Sequence, residues 1–336
     1  MISPSARPNS SAVSPRRAIV VGAYGQDGRL LSTELDKHQY IVTRVGRTTV
    51  CTGDEPTRPF DIRNTAAVDQ LLDSTSPDEI YYLAAHHHSA EESTGDTATL
   101  LRESVTVHCL CLVNFLNAMQ RRGSKARLFY ASSSLVFGWP DEAPQDEHTP
   151  LRPVCAYGTT KLAGMNICNI YRREHGMFCC SGILFNHESP YRSPQFVTKK
   201  IVSGAINIHL GLQDELIVGS LAAQADWGAA VDYVHAMRAI LSLPEPDDFV
   251  VATGVLHSVE DLARAAFSAL GMEYEKYARE DPGLMQRSIR KVPLVGDAAK
   301  LKASTGWSPQ IGFEEMIREM VQCELTGRSL VQGKKN

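Results

Sequence analysis

Short apolar runs alternate with longer amphipathic segments from Arg17 onward, and this alternation restricts the chain to a few folds. Strands buried on both faces of a parallel sheet are apolar throughout, and helices connect them. The pattern predicts strands at residues 18–22, 40–45, 79–85, 127–132 and 179–185. It predicts helices near residues 27–37, 65–75, 97–121 and 156–174. The predicted fold class is therefore α/β, with a Rossmann-type doubly wound parallel sheet.

The alternation ends after Phe185, which divides the chain into segments with different expected roles. Residues 1–16 are rich in Ser, Pro and Arg without an apolar run, so we expect a disordered tail. Residues 17–190 are predicted to form the Rossmann domain, and residues 191–330 a smaller C-terminal α/β substrate lobe. Some segments of that lobe, about residues 226–256, are expected to return to the first domain.

A glycine-rich turn follows the first predicted strand directly, which is where a dinucleotide fingerprint is expected. Its residues are Gly22, Gly25, Gln26, Asp27 and Gly28. Glycine lets the backbone turn tightly and approach a pyrophosphate, whose charge is stabilised by the N-terminus of the next helix. The turn is therefore interpreted as the binding site of a dinucleotide cofactor.

The choice of cofactor depends on the end of the second predicted strand. An acidic residue there would bind the ribose 2′-hydroxyl of NAD. The segment instead reads RVGRTT, and Arg47 is suited to pair with a 2′-phosphate. NADP is therefore favoured, with NAD as the alternative. Asp61 and Ile62 are placed to border the adenine.

Tyr157 and Lys161 are four residues apart in a predicted helix, so their side chains share one face. A nearby ammonium favours the phenolate, which can take a proton from a substrate hydroxyl while hydride leaves the same carbon. Ser133, at the end of the preceding predicted strand, can present a hydroxyl to the same oxygen. These three residues predict a catalytic site for redox chemistry.

Composition and charge argue against several kinds of partner. The net charge is only −4 with both signs mixed along the chain, so we expect no nucleic acid and no membrane surface as partner. No apolar stretch approaches the roughly 18 residues that cross a bilayer. The eight cysteines lack metal or disulfide spacing, which favours the cytoplasm. His86, His87 and His88 are consecutive, but adjacent side chains diverge, so no metal site is predicted.

Several longer strings of residues indicate a family. They are GQDG at 25–28, GILFNHESP at 182–190, FVTKKI at 196–201, DWG at 226–228, DYVHAM at 232–237, DDFVVATG at 247–254, HSV at 257–259 and GWSP at 306–309. With them, residues 18–325 resemble the extended short-chain dehydrogenases, and most closely the GDP-mannose 4,6-dehydratase family. The resemblance implies an enzyme acting on a nucleotide-linked sugar, with a GDP-sugar favoured, that assembles as a homodimer or homotetramer.

The resemblance also implies roles for individual residues. Tyr157 and Lys161 would be the redox pair, and Ser133 stands where the family has a threonine. Further cofactor contacts are implied for Leu83, Ala84, Ala85, His86, His187 and Arg192. Contacts with the sugar nucleotide are implied for His88, Asn186, Lys200 and Arg287.

Some positions depart from the family pattern, and the most consequential is Leu135, which stands where dehydratases have a glutamate. Ala225 replaces an arginine, Arg290 an acidic residue, and residues 86–88 a more usual Gln-Ser-His segment. Eliminating water across C5 and C6 needs an acid and a base, and losing one such group costs about a hundred- to ten-thousandfold in rate. We therefore expect oxidation at C4 that leads to epimerisation, keto-sugar reduction or dehydrogenation rather than dehydration.

Two other functions stay open from the sequence. The first is a 4,6-dehydratase in which another group replaces the missing glutamate. The second is a non-catalytic NADP-binding protein, against which the joint presence of Ser133, Tyr157 and Lys161 argues.

Overall fold

The computed structural model describes residues 14–86, 96–284 and 291–332, and its largest unit is an eight-stranded sheet. The strands of this sheet are β1 (Arg17–Val21), β2 (Ile41–Val45), β3 (Thr49–Thr52), β4 (Arg58–Pro59), β5 (Glu79–Tyr82), β6 (Arg127–Ala131), β7 (Cys179–Leu184) and β11 (Asp248–Val251). Their order is β11-β7-β6-β5-β1-β2-β3-β4. The strands from β11 to β2 are parallel, whereas β3 and β4 continue the sheet antiparallel. The predicted α/β class with a parallel sheet is confirmed.

Helices were predicted near residues 27–37, 65–75, 97–121 and 156–174, and the structure has helices close to each of these positions. They are α1 (Gln26–Lys37), α2 (Thr65–Thr75), α3 (Thr97–Val105), α4 (Cys111–Arg121), α5 (Ala156–His175), α6 (Val197–His209), α7 (Ala230–Leu241), α8 (Val259–Ser268), α9 (Ala299–Thr305) and α10 (Phe313–Gln332). Local chemistry fixes several ends: the Asn64 side chain accepts from the Ala67 amide at the start of α2, and Gly176 ends α5 at φ +60°.

Apolar side chains cover both faces of the main sheet. Ile19 and Val21 of β1 pack on the face covered by α2, α4 and α5, whereas Ala18 and Val20 pack on the face covered by α1, α7 and α9. All six residues of β7 are buried, because a central parallel strand contacts helices on both sides. The sheet is therefore doubly wound, as its continuous apolar strands predicted.

Two small sheets and three helices make up much of the second half of the chain. β8 (Asn186–Glu188), β10 (Gln224–Ala229) and β12 (Leu256–Ser258) form one sheet, and β9 (Leu216–Val218) pairs with β13 (Ala278–Glu280) in the other. A separate apolar core lies among α6, α8 and α10. β11 comes from the same half of the chain but joins the main sheet beside β7.

The segment predicted as one helix at 97–121 is interrupted by a π-helical turn, Thr106–Leu110, between α3 and α4. By length and composition alone, Thr97–Arg121 is sufficient to cross a membrane, which the sequence analysis did not anticipate. Its packing explains the composition, because one face of α4, including Leu112, Phe115 and Leu116, is buried in the main core. The apolar residues of α4 therefore contribute to the core of the α/β fold.

The predicted disordered tail lies mostly outside the described residues. Arg16, at its end, forms an ion pair with Glu79, with 2.7 Å between guanidinium nitrogen and carboxylate oxygen. Glu79 is 3% exposed and belongs to β5, so this contact attaches the start of the fold to the main sheet.

Candidate active site

A cleft of about 1510 Å³ lies at the carboxyl ends of the parallel strands, between the main sheet and the C-terminal lobe. Open parallel sheets bind ligands at this edge, because the loops that leave the strands converge there. The turn after β1, the segments after β5 and β6, and the first turns of α5 line one side. Residues 191–197, 218–220 and 222–225 line the side that belongs to the second lobe.

The glycine turn forms the floor of the cleft at the start of α1. Gly22 has φ +93°, and a Cβ there would lie 2.8 Å from the Ala84 nitrogen. Gly28 does not line the cleft, but a Cβ on it would lie 2.2 Å from the Gly22 carbonyl oxygen. The turn therefore requires glycine at both positions. Gly25 precedes α1 and lines the cleft together with the first two residues of that helix, so a helix N-terminus, which suits a pyrophosphate, borders the cleft here.

Gln26 and Asp27 line the cleft, yet their side chains bind the segment after β7. The Gln26 amide nitrogen donates to the His187 carbonyl at 2.9 Å, and its amide oxygen accepts from the Ser189 hydroxyl at 2.9 Å. The Asp27 carboxylate lies 3.0 Å from His187 Nε2. The turn is thus fastened to residues about 160 positions later in the chain.

His187 is held in its charged form by these contacts. Nδ1 donates to the Phe185 carbonyl at 2.7 Å while Nε2 faces Asp27, and a ring that donates from both nitrogens is an imidazolium. Burial by itself would lower the pKa of His187, but the Asp27 carboxylate and the Phe185 carbonyl raise it above 6.5. Burial likewise works against ionisation of Asp27, yet His187 lowers the pKa of this carboxyl below 3.8. The two residues form a buried ion pair.

The opposite end of the cleft has the character expected for the adenosine part of a dinucleotide. Arg47, Asp61 and Ile62 all line it. Arg44, from the same RVGRTT segment, instead pairs with Asp36 on α1. Arg63 also lines this end and forms an ion pair with Asp61 at 2.8 Å. Arg63 was not identified from the sequence, although its position beside Asp61 was a usable signal.

The segment after β5 also lines the cleft. Leu83, Ala84, Ala85 and His86 border it, and the backbone nitrogen of His86 donates to His108 Nε2 at 3.0 Å. His88 lies outside the described residues, and so do Arg287 and Arg290. Among the residues that the structure describes, no group of three or more His, Cys, Asp or Glu side chains could hold a metal ion.

Ser133, Tyr157 and Lys161 meet on one wall of the cleft. The Ser133 hydroxyl accepts from the Leu135 amide at 3.3 Å. The Lys161 ammonium donates to the Ala131 carbonyl at 2.7 Å and lies 5.6 Å from the centroid of the Tyr157 ring. The helical spacing therefore brings the phenol and the amine to the same wall, and Leu135 borders it as well.

The electrostatics of this wall differ from the sequence expectation. Lys161 was expected to favour the phenolate, but burial raises the pKa of Tyr157, opposed by the charge of Arg192. Burial also lowers the pKa of Lys161 to about 7, opposed by Asp27. The expectation was wrong on this point because removal from water destabilises both charged forms, and spacing in the sequence does not reveal burial.

Of the residues expected near the sugar nucleotide, Asn186 lines the cleft. Arg192, which was expected at the cofactor, also lines it, and its guanidinium lies 3.8 Å from the Phe196 ring centroid and 3.1 Å from Glu188. Lys200, on α6, is outside the set that lines the cleft. Ser220, Gln224 and Lys291 line the second lobe's side and were missed, because isolated polar residues in loops form no recognisable motif.

Comparison with known proteins gives one consistent family. The family model described as GDP-mannose 4,6 dehydratase matches residues 19–320. GDP-mannose 4,6 dehydratase 2 of Arabidopsis thaliana is 35% identical over 347 residues, covering 94% of this chain and 89% of the relative. GDP-mannose 4,6-dehydratase of Yersinia enterocolitica is 32% identical over 355 residues, covering 92% and 94% respectively.

Solved structures share the fold. RMD from Pseudomonas aeruginosa, complexed with NADPH, superposes with a TM-score of 0.78 at 23% identity, covering 91% of this chain and 98% of that one. UDP-glucose 4-epimerase from Thermus thermophilus, complexed with NAD, gives 0.76 at 24% identity, with the same two coverages.

Proposed function

Because this chain belongs to the GDP-mannose 4,6-dehydratase family of the extended short-chain dehydrogenases, we propose that it oxidises C4 of a nucleotide-linked hexose with NADP as hydride acceptor. A GDP-sugar is the favoured substrate, and NAD is the alternative cofactor. The observation that carries the proposal is the meeting of Ser133, Tyr157 and Lys161 on the wall of a cleft whose floor is the glycine turn.

The residues of the cleft suit the binding of NADP. Gly22 and Gly28 leave no space for a Cβ against the neighbouring backbone, so the turn packs tightly at the start of α1, as a dinucleotide-binding turn requires. The start of α1 would attract a pyrophosphate, and Arg47, which lines the same cleft, would pair with a 2′-phosphate. The bound cofactor would accept a hydride from C4.

The catalytic residues would handle the proton of the same step. Ser133 would hold the C4 hydroxyl, and Tyr157 would remove its proton. Since burial raises the pKa of Tyr157, the phenol needs positive charge nearby to ionise, and Arg192 supplies part of it. Lys161, bound to the Ala131 carbonyl, would keep its donor end on the same wall and exchange a proton near neutral pH.

Leu135 argues against dehydration as the net reaction, because its side chain cannot donate or accept a proton. After oxidation at C4, loss of water across C5 and C6 needs a base and an acid. Among the described residues, the carboxylates that line the cleft are Asp27, Asp61 and Glu103. Asp27 is paired with His187, and Asp61 with Arg63. Glu103, on α3, is left as the candidate substitute for the second candidate function. Because the leucine at position 135 cannot itself exchange a proton, we propose epimerisation, keto-sugar reduction or simple dehydrogenation as the net reaction.

Product analysis tests the proposal. The chain is incubated with NADP and GDP-mannose, and separately with other nucleotide hexoses, and the products are identified by NMR. We expect C4 oxidation or inversion with at most traces of a 4-keto-6-deoxy sugar. Leu135→Glu should increase that dehydrated product, whereas Leu135→Gln, of matching size but without an acid, should not. Cofactor binding without turnover on any nucleotide sugar would leave only a non-catalytic NADP-binding protein.

Full 4,6-dehydration is the second candidate function, and the names of the relatives favour it. It requires a substitute acid and base near C5 and C6 of the sugar. A 4-keto-6-deoxy product from the unaltered chain at ordinary turnover would establish it and reject the first candidate.

We further propose a homodimer or homotetramer in the cytoplasm. Leu101, Val105 and Leu110 are exposed apolar side chains on α3 and the π-helical turn, which favours burial against a second copy. All eight cysteines lie among the described residues and are free thiols, which favours a reducing compartment. Sedimentation equilibrium tests the assembly, and a strictly monomeric chain would contradict it.

A further inference from the structure

His108 is a fully buried histidine that lies beside the catalytic wall without lining the cleft. It belongs to the π-helical turn between α3 and α4, a kind of interruption that is frequent at functional sites. Its ring meets the Tyr157 ring edge to face, with 5.2 Å between centroids and an angle of 89°. Because the ring packs against a catalytic phenol, it matters which of the two ring nitrogens of His108 carries a proton.

The contacts of His108 define that state. The His86 backbone amide can only donate, so Nε2, at 3.0 Å, must accept and carries no proton. Nδ1 then carries the proton and donates to the Thr160 hydroxyl at 2.7 Å. The Thr160 hydroxyl in turn donates to a carbonyl of α5, with Ala156 at 2.9 Å and Tyr157 at 3.1 Å. A directed chain of hydrogen bonds therefore runs from His86 to the backbone of Tyr157.

The surrounding packing holds this chain in place. The Tyr130 hydroxyl donates to the His108 carbonyl at 3.4 Å. Gly164 of α5 lets the two elements approach, because a Cβ there would lie 2.1 Å from the Tyr130 hydroxyl oxygen and 2.9 Å from the His108 carbonyl oxygen. Rotation of α5 about its axis would break several of these contacts together.

We propose that His108 is a positioning residue, which fixes the orientation of Tyr157 for proton transfer and joins α5 to the cofactor-lining segment at residues 83–86. The role rests on the proposed function. His108 touches neither cofactor nor sugar in this scheme. It acts through Thr160 on the first turn of α5, and through the His86 amide on the segment that borders the cofactor.

Two substitutions of His108 test its two hydrogen bonds separately, one with the His86 amide and one with the Thr160 hydroxyl. In His108→Gln, the side-chain oxygen can still accept from the His86 amide, but the bond to Thr160 is lost. In His108→Asn, the shorter amide can still donate to Thr160, but it does not reach the His86 amide. We expect His108→Gln to lower kcat for sugar oxidation by about ten- to a hundredfold with KM for the sugar and Kd for NADP unchanged. His108→Asn should instead raise Kd for NADP.

Thr160 provides the second test and Cys109 the control. Thr160→Val removes the hydroxyl and should reproduce the kcat defect of His108→Gln, whereas Thr160→Ser should restore kcat. This pair also decides the proposal if the His108 variants do not fold. Cys109→Ala alters the neighbouring buried residue, whose thiol donates to the Thr160 carbonyl at 3.6 Å but takes no part in the His108–Thr160 hydroxyl bond, and should leave kcat unchanged.

Turnover of the unaltered chain tests the proposed function, and kcat of the His108 and Thr160 variants tests the positioning role of His108. Absence of turnover in the unaltered chain would overturn the proposed function and the positioning role with it. Normal turnover in the unaltered chain, together with kcat values in His108→Gln and Thr160→Val equal to that of Cys109→Ala, would overturn the positioning role alone. A defect in Thr160→Val that Thr160→Ser fails to restore would also contradict it.

Discussion

Replacing Asp27 by asparagine removes one charge from the buried pair with His187 while keeping the size of the side chain. The nitrogen–oxygen distance is 3.0 Å, and the two side chains are 11% and 20% exposed. At an effective dielectric constant of about 20, unit charges at this distance attract by roughly 5–6 kcal/mol, before the cost of removing them from water. Breaking a buried pair usually costs about 3–5 kcal/mol, and we expect the lower end because His187, once the Asp27 charge is gone, can lose its proton and become neutral.

The assay is urea unfolding of the unaltered chain and Asp27→Asn, compared with Asp61→Asn. The control removes an ion pair of similar length, 2.8 Å, from an exposed position, where water already screens the charges. Asp27→Asn should lower the free energy of unfolding strongly and Asp61→Asn only slightly.

The difference between the unaltered chain and Asp27→Asn should also depend on pH. The pKa of His187 is raised on folding, so its contribution is complete below about pH 6.5 and is lost as pH rises through the folded-state pKa. The pKa of Asp27 is lowered, so its contribution is present above about pH 3.8 and is lost as pH falls through the folded-state pKa. The difference should therefore be largest between these two values. Equal destabilisation by the two substitutions, or a difference that grows above pH 7, would refute the buried ion pair.

Three further substitutions test the cleft. Gly28→Ala places a Cβ against the Gly22 carbonyl and should distort the turn, so we expect NADP affinity to fall about ten- to a hundredfold by fluorescence titration. Unchanged affinity would contradict the need for close contact between residue 28 and the Gly22 carbonyl. Arg47→Ala should weaken NADP binding about tenfold and leave NAD binding unchanged, and equal losses for both cofactors would argue against a 2′-phosphate contact. Tyr157→Phe should reduce turnover about a hundred- to ten-thousandfold, followed by NADPH absorbance, while NADP binding is retained; turnover close to that of the unaltered chain would remove the phenol from the mechanism.

The central sheet could be predicted from the sequence because its strands are buried on both faces and read as continuous apolar runs. β3 and β4 were not predicted, because Thr49–Thr52 and Arg58–Pro59 are short, polar strands at the edge of the sheet and not continuous apolar runs. The π-helical turn at Thr106–Leu110 was not predicted either, because one widened turn changes neither the composition nor the overall period of a helix.

The candidate site was predictable where its residues are close in sequence. The spacing of Tyr157 and Lys161 placed both on one wall, and the glycine turn followed from its position after β1. The partners of Gln26 and Asp27 were not predictable, since His187 and Ser189 are far along the chain and meet the turn only in the folded protein. Distant contacts of this kind also decide which polar side chains remain available to a ligand.

Helix α5 shows why catalytic spacing alone does not determine catalytic chemistry. Tyr157 faces the cleft, Thr160 binds His108, Lys161 binds the Ala131 carbonyl, and Gly164 admits the Tyr130 hydroxyl. The orientation of the phenol is therefore set by β6 and the π-helical turn as well as by the helix that carries it. A second chain with the same Tyr and Lys spacing but without these contacts would have the same motif and a differently oriented, differently buried phenol, and its pKa and rate would differ accordingly.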